Sequence, residues 1–186
     1  ISREQYDYAR QRIFEAGLAE RVDIQLCDYR DVRGQFDSVA SIEMFEAVGR
    51  EYWPTYFNKV HDVLKPEGRA GLQIITIQDE LFEEYDARTD FIQKYVFPGG
   101  SLPSEGVLAP VITAAGLNTT GVERFGLDYA RTLSEWAKRF DAAWALIGRD
   151  GGFDSRFRRL WLFYLAYCEA GFRSRRTDVI QMALNR

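Results

Sequence analysis

Two carboxylates three residues apart, Glu43 and Glu46, stand in the stretch SIEMFEAVG (41–49), where a buried apolar strand reads as running into a helix or loop. Glu46 lies between Phe45 and Ala47, with Met44 and Val48 next outward. An ionised side chain in such company costs on the order of several kcal/mol unless something pairs with it. In an open α/β sheet, ligands gather beyond the carboxyl ends of the strands. Three segments place polar groups at such ends: CDYRD (27–31), SIEMFE (41–46) and TIQDE (76–80). The plain alternative for each acidic group is a helix N-cap or a solvated loop position, and Glu46 fits that alternative least.

Other reaction types find little support. His61, in NKVHDVLK, is the only histidine and reads as a helix-surface residue, so there is no histidine cluster for a metal and no Ser-His-Asp relay. Neither a Walker loop nor a Gly-x-Gly-x-x-Gly fingerprint occurs, and FPGG (97–100) is a turn. Cys27 and Cys168 stand far apart in apolar contexts, without metal or redox spacing. No disulfide is expected, and a reducing, cytoplasmic compartment fits. The longest apolar run, LWLFYLAYC (160–168), falls short of the roughly 20 residues of a membrane span, and no signal peptide is recognisable. A net charge of −4 gives no field for nucleic acid, so no such partner is expected. Locally, Arg149, Arg156, Arg158, Arg159, Arg173, Arg175 and Arg176 outnumber Asp150, Asp154 and Glu169. Such a run is either a solvated helix face or a contact for anionic lipid headgroups.

The elements that must position these groups follow from periodicity. With 186 residues, 46% of them apolar, the chain can bury one core, and no linker or repeat marks an internal boundary. Residues 2–17 predict a helix, with Ser2 and Gln5 at capping-box spacing, Tyr6, Ala9 and Ile13 on one face and Gly17 as its stop. RVDIQLCDY (21–29) and FDSVASIE (36–43) predict two strands, the second buried on both faces. EYWPTYFNKVHDVLKPEG (51–68) predicts a helix stopping at Pro66 and Gly68, and RAGLQIITI (69–77) a strand. Beyond it come a helix over 80–96, a short helix and strand over 105–125, a helix opening with a capping box at Thr132 and Glu135, a helix ended by Gly171, and a closing strand, DVIQMALNR. The alternation calls for an open, mostly parallel sheet flanked by helices.

The strings SIEMFEAVG, VLKPEG, DFIQKYVFPGGSLPS, FGLDYARTL and YCEAGFR resemble, in order and spacing, the cyclopropane-fatty-acyl-phospholipid synthases and the related mycolic acid methyltransferases, over nearly the whole chain. The resemblance implies an α/β fold, the Rossmann-like sheet of class I S-adenosylmethionine-dependent methyltransferases with its last strand antiparallel and a helical insertion about 128–172. It implies methyl transfer from S-adenosylmethionine to a cis double bond of a phospholipid acyl chain, giving a cyclopropane or methyl-branched product. A bound bicarbonate would be the base, organised partly by Glu46 and Tyr129, whose hydroxyl would donate, with Ile77 in the same catalytic set. A carboxylate beside an anion requires a shared proton, hence coupled titration. Gln5, Tyr29, Arg30 and Ser41 would contact the cofactor, with adenine stacking on Tyr29. Glu43 would either face the methionine end of the cofactor or cap the following turn.

Two departures from the resemblance matter. Ile75 stands where many members carry a histidine, which leaves the product open more than the reaction class. The family's Gly-rich first strand and loop should lie before Ile1, so the chain, which opens on Ile rather than Met, is expected to be the C-terminal part (1–186) of one methyltransferase domain lacking its first two strands. Alone it is expected to bind cofactor poorly and to need a swapped dimer, another association or an upstream segment. Aromatics in DFIQKYVF and RLWLFYLAYC suit an acyl tunnel, with access from the inner face of the membrane through an apolar lip and local arginines.

Overall fold

The computed structural model describes residues 2–186, with the backbone alone at 149 and 150, so the Arg149 and Asp150 side chains and the expectation placed on Ile1 lie outside the described residues. The chain divides into two units, 1–35 and 36–186, each described by itself.

In the first unit, α1 (Arg3–Glu15) starts at Ser2, whose side chain accepts from the Gln5 amide at 3.2 Å, and Gly17 follows it at φ 67°. A glycine takes that left-handed conformation without steric cost, which explains the stop. RVDIQLC forms no strand, contrary to expectation. Its burial alternates from Arg21 to Gln25 and then lapses, Leu26 being exposed, and no ladder forms on it among the described residues. Apolar alternation makes a segment extended; only a neighbouring backbone makes it a strand. A 3-10 turn, Tyr29–Asp31, follows, its Asp28 cap accepting from the Arg30 amide at 2.9 Å.

The second unit holds a four-stranded sheet of order β1-β2-β4-β3, formed by β1 (Phe36–Ile42), β2 (Leu64–Ile77), β3 (Asn118–Arg124) and β4 (Thr177–Asn185). β1 runs parallel to β2, whereas β4 lies antiparallel to both β2 and β3. Period-two alternation divides the core between the faces of the sheet. Ile75 pairs with Val179, and both pack with Ala130, Leu133, Leu165 and Phe172 of the helices on one side. Their neighbours Ile74 and Ile180, also paired, belong to the opposite face and are fully buried. β1 was expected to be buried on both faces. It is an edge strand instead, with Phe36 and Ile42 44% and 60% exposed.

Helix α2 (Trp53–Val63) carries Pro54 in its first turn and turns Trp53, Tyr56, Phe57, Val60 and Val63 inward. Phe45 meets Trp53, Tyr56 and Phe57 with ring centroids 5.0–5.3 Å apart. The helix ends three residues before Pro66, and Leu64 already belongs to β2. Proline disfavours helical backbone at the residue before it, so the turn falls earlier than Pro66 and Gly68 suggest. The helix expected over 80–96 is two, α3 (Asp79–Asp86) and α4 (Phe91–Tyr95), because Asp90 and Gln93 form a capping box that starts a new helix.

After α5 (Glu105–Ala114) and β3 come two long helices, α6 (Gly126–Asp150) and α7 (Ser155–Arg173). α6 begins at Gly126, not Thr132, since Asp178 of β4 accepts the Gly126 amide at 2.7 Å. Thr132 bonds back to the Asp128 carbonyl inside the helix at 3.2 Å, so the expected capping box does not form. α7 likewise runs through Gly171 instead of stopping there. A Cβ at Gly171 would stand 2.9 Å from Thr177 Oγ1, so this glycine serves close packing of the helix on the start of β4.

Candidate active-site cavity

A cavity of about 1020 Å³ opens in the second unit, bounded by the turn after β1, the end of β2, α3, α4, α6 and α7. Glu43 and Glu46 come from the turn, Ile75 and Ile77 from β2, Tyr129 from α6, and Tyr164 and Cys168 from α7. The turn is fixed on both sides. Glu43 donates its amide to the Gln73 carbonyl at 2.9 Å, and Ser101 donates its own to the Glu46 carbonyl at 2.9 Å. Glu43 has φ 49°, a left-handed conformation that costs a residue with a Cβ about 1–3 kcal/mol.

Glu46 uses one oxygen for structure. Oε1 accepts the Ile75 amide at 2.6 Å, at a point on β2 beyond the last β1 pair, Ile42 with Gln73. Oε2 is buried without a hydrogen-bond partner. Burial raises the Glu46 pKa above the usual carboxylate value, against the lowering effect of the Ile75 amide, and the charge of Glu43 raises it further. Glu46 is thus a carboxyl group biased toward holding a proton, with one oxygen left for a ligand.

The Tyr129 hydroxyl donates to Glu43 Oε2 at 2.9 Å, so the group expected to donate beside Glu46 is committed to the other carboxylate. Burial, followed by the Glu43 charge, pushes the Tyr129 pKa up. On α7, burial raises both Tyr164, which is hydrogen bonded to Cys168, and the Cys168 thiol, the latter to about 12.

Of the residues singled out from the sequence, Glu46, Tyr129 and Ile77 meet at this cavity. Ile77 offers an apolar wall, its amide being donated to the Pro103 carbonyl at 2.9 Å. Ser41 lies on β1 outside the cavity lining, its Oγ buried and without a partner. Gln5, Tyr29 and Arg30 belong to the first unit, where both Nε and Nη2 of Arg30 reach the Asp28 carboxylate at 3.0 and 2.8 Å. Gln73, not among the residues expected at the site, has one signal in the sequence, a glutamine amid the apolar run GLQIITI. The role of Glu43 has no local trace in the sequence, its partner Tyr129 lying 86 residues away.

Bicarbonate suits one observation, the buried and unpartnered Oε2 of Glu46, a residue that lines a cavity with otherwise chiefly apolar walls. S-adenosylmethionine suits another, the unpartnered Ser41 Oγ near the carboxyl end of β1, the end at which open α/β sheets bind ligands.

Residues 1–182 match the family model described as mycolic acid cyclopropane synthetase. The chain is 44% identical over 191 residues to tuberculostearic acid methyltransferase UfaA1 of Mycobacterium tuberculosis, a match covering 100% of this chain and 44% of that protein. To cyclopropane-fatty-acyl-phospholipid synthase of Escherichia coli K12 it is 38% identical over 187 residues, covering 100% of this chain and 46% of that protein. It therefore spans about half the length of the curated relatives it matches. Among solved structures, mycolic acid cyclopropane synthase CmaA1 complexed with SAH and CTAB superposes with a TM-score of 0.85 at 24% identity, over 100% of this chain and 67% of that one. That likeness is one of fold, the Rossmann-like fold of class I S-adenosylmethionine-dependent methyltransferases. With a family model matching from residue 1 to residue 182, the chain belongs to the mycolic acid cyclopropane synthetase family.

Proposed function

We propose that the protein carrying this chain transfers a methyl group from S-adenosylmethionine to the cis double bond of an unsaturated phospholipid acyl chain, giving, after loss of a proton, a cyclopropane or a methyl-branched chain that is still unsaturated. The observation that carries this reading is Glu46, a buried carboxyl with one free oxygen in an apolar cavity of about 1020 Å³. S-adenosylmethionine, when bound, would supply an electrophilic methyl group, with Ser41 of the second unit, whose Oγ is buried and unpartnered, as a contact. The cavity does three things for such a reaction. Its apolar walls exclude water, which would otherwise capture an electron-deficient carbon. Its aromatic faces, Tyr164 and Phe97 with centroids 6.1 Å apart, stabilise positive charge. Glu46 is placed to orient the group that takes the departing proton; a bicarbonate, if bound, would be held by its free oxygen and would supply that base. Since burial biases Glu46 toward the neutral form, it can share a proton with an anion instead of repelling it.

The acyl chain enters from a lipid surface on the inner face of the membrane. Phe97 and Tyr167 line the cavity while 55% and 41% exposed, and Phe163, 54% exposed, lies against Tyr167 at 6.2 Å between ring centroids. Among the described residues no helix is long and apolar enough to cross a membrane, so this reading has the protein rest on the surface through that lip.

The test uses the full-length protein, vesicles of unsaturated phospholipid and methyl-labelled S-adenosylmethionine, with mass analysis of the acyl chains. Label is expected in the lipid, and Glu46→Gln is expected to abolish it. Unchanged turnover in Glu46→Gln would refute the role given to this carboxyl.

A further inference from the structure

Three elements contribute to a hydrogen-bonded chain with a fixed direction at the cavity wall. Gln181 of β4 and Gln73 of β2 are cross-strand partners, and Gln181 Nε2 donates to Gln73 Oε1 at 2.9 Å. With its oxygen engaged, Gln73 turns its nitrogen toward Glu43 and donates to Oε1 at 2.7 Å. The other oxygen of Glu43 receives the Tyr129 hydroxyl at 2.9 Å. An ionised carboxylate only accepts hydrogen bonds, so both donors must point inward at Glu43. A phenol has one proton to give. Given to Glu43, it leaves only lone pairs on the Tyr129 oxygen for any other neighbour.

The backbone supports the same conclusion. Glu43 adopts φ 49°, a conformation disfavoured for a residue bearing a Cβ, and it is held there by its amide bond to the Gln73 carbonyl at 2.9 Å. Gln73 therefore grips Glu43 at both main chain and side chain. A glutamine within an apolar strand, a strained glutamate and a half-buried tyrosine are explained together if their common product is the direction of one hydroxyl.

We propose that Glu43 is a positioning residue which, braced by Gln73, claims the Tyr129 hydroxyl proton, so that Tyr129 meets a ligand in the cavity as a hydrogen-bond acceptor and Glu46 is left as the carboxyl able to donate. The effect on turnover rests on the function proposed above; the direction of the hydroxyl does not. Glutamine at position 43 has one acceptor oxygen for two donors, so one bond must fail or invert, and Tyr129 can then turn its proton into the cavity.

The experiment labels the full-length protein with 13Cζ-tyrosine and assigns the Tyr129 resonance by its loss in Tyr129→Phe. A hydroxyl bonded to a carboxylate draws that carbon downfield. In Glu43→Gln the resonance is expected to move upfield toward that of exposed tyrosines, and in Gln73→Leu to move part of the way. Turnover in Glu43→Gln is expected to fall roughly tenfold, as for loss of one oriented hydrogen bond, with KM for S-adenosylmethionine unchanged. A Tyr129 resonance that stays in place in folded Glu43→Gln overturns the proposal, as does a loss of turnover seen entirely in KM. Should Glu43→Gln fail to fold, an unmoved resonance in Gln73→Leu overturns it equally. If the wild-type resonance responds as expected but no lipid is methylated, the positioning stands and the proposed function falls.

Discussion

Glu46→Gln separates the electrostatic cost of the buried carboxyl from its chemical use, and the comparison is one of stability against pH. The wild-type carboxyl is held above its ordinary value chiefly by burial, so the folded state binds its proton more tightly than the unfolded chain does. Below the unfolded value of about 4.3 both states are protonated, and the group is neutral toward stability. As pH rises from there to the folded value, the unfolded chain loses its proton first, and stability falls by about 1.4 kcal/mol per pH unit. Above the folded value the loss is complete and constant. Glutamine has the same shape, can still accept the Ile75 amide, and never ionises. Its buried amide nitrogen takes the place of an oxygen that already lacks a partner, so at low pH the two proteins should differ by no more than about 1 kcal/mol. On raising the pH, the glutamine variant gains on the wild type until the folded carboxyl has titrated. Urea unfolding at half-unit steps from pH 4 to pH 8, followed by tryptophan fluorescence, measures the difference. A difference that stays constant over that range, or moves the other way, refutes the claim that burial is the dominant influence on Glu46.

Two further outcomes are expected. The Cys168 thiol, pushed up to about 12, should resist alkylation by iodoacetamide at pH 8 while exposed Cys27 reacts, so peptide mapping by mass spectrometry should find Cys27 modified and Cys168 not; rapid modification at both would show Cys168 to be ionised. Phe163→Ser in the full-length protein should weaken co-sedimentation with phosphatidylglycerol vesicles roughly tenfold, from about 1–2 kcal/mol of apolar burial per ring, and undiminished binding would remove the lip from the proposed route of entry.

The elements most legible in the sequence were those with an internal period. The face of α2 and the strand at the end of the chain each carry enough apolar spacing to declare themselves. Boundaries decided elsewhere in the chain were not legible. α6 starts where Asp178 accepts the Gly126 amide across 52 residues, and no local pattern at Thr132 could compete with that. RVDIQLC has a strand's apolar alternation in sequence but pairs with no strand among the described residues. The break between α3 and α4 was local after all, since Asp90 and Gln93 stand at capping-box spacing. At the site, Glu46 was conspicuous because its neighbours are apolar. Glu43 was not, because its importance lies in the Tyr129 and Gln73 side chains that only the folded sheet brings to it.

The bond from the Ile75 amide to Glu46 has a mechanical consequence. Where β1 ends, a side chain takes over the next rung of the ladder along β2, and that carboxyl inherits the stiffness of the sheet. One atom of the group is anchored like backbone, so the free atom can only swing on a short arc about it. Precision at this point is borrowed from the strand, and it requires no further clamp from the walls around it.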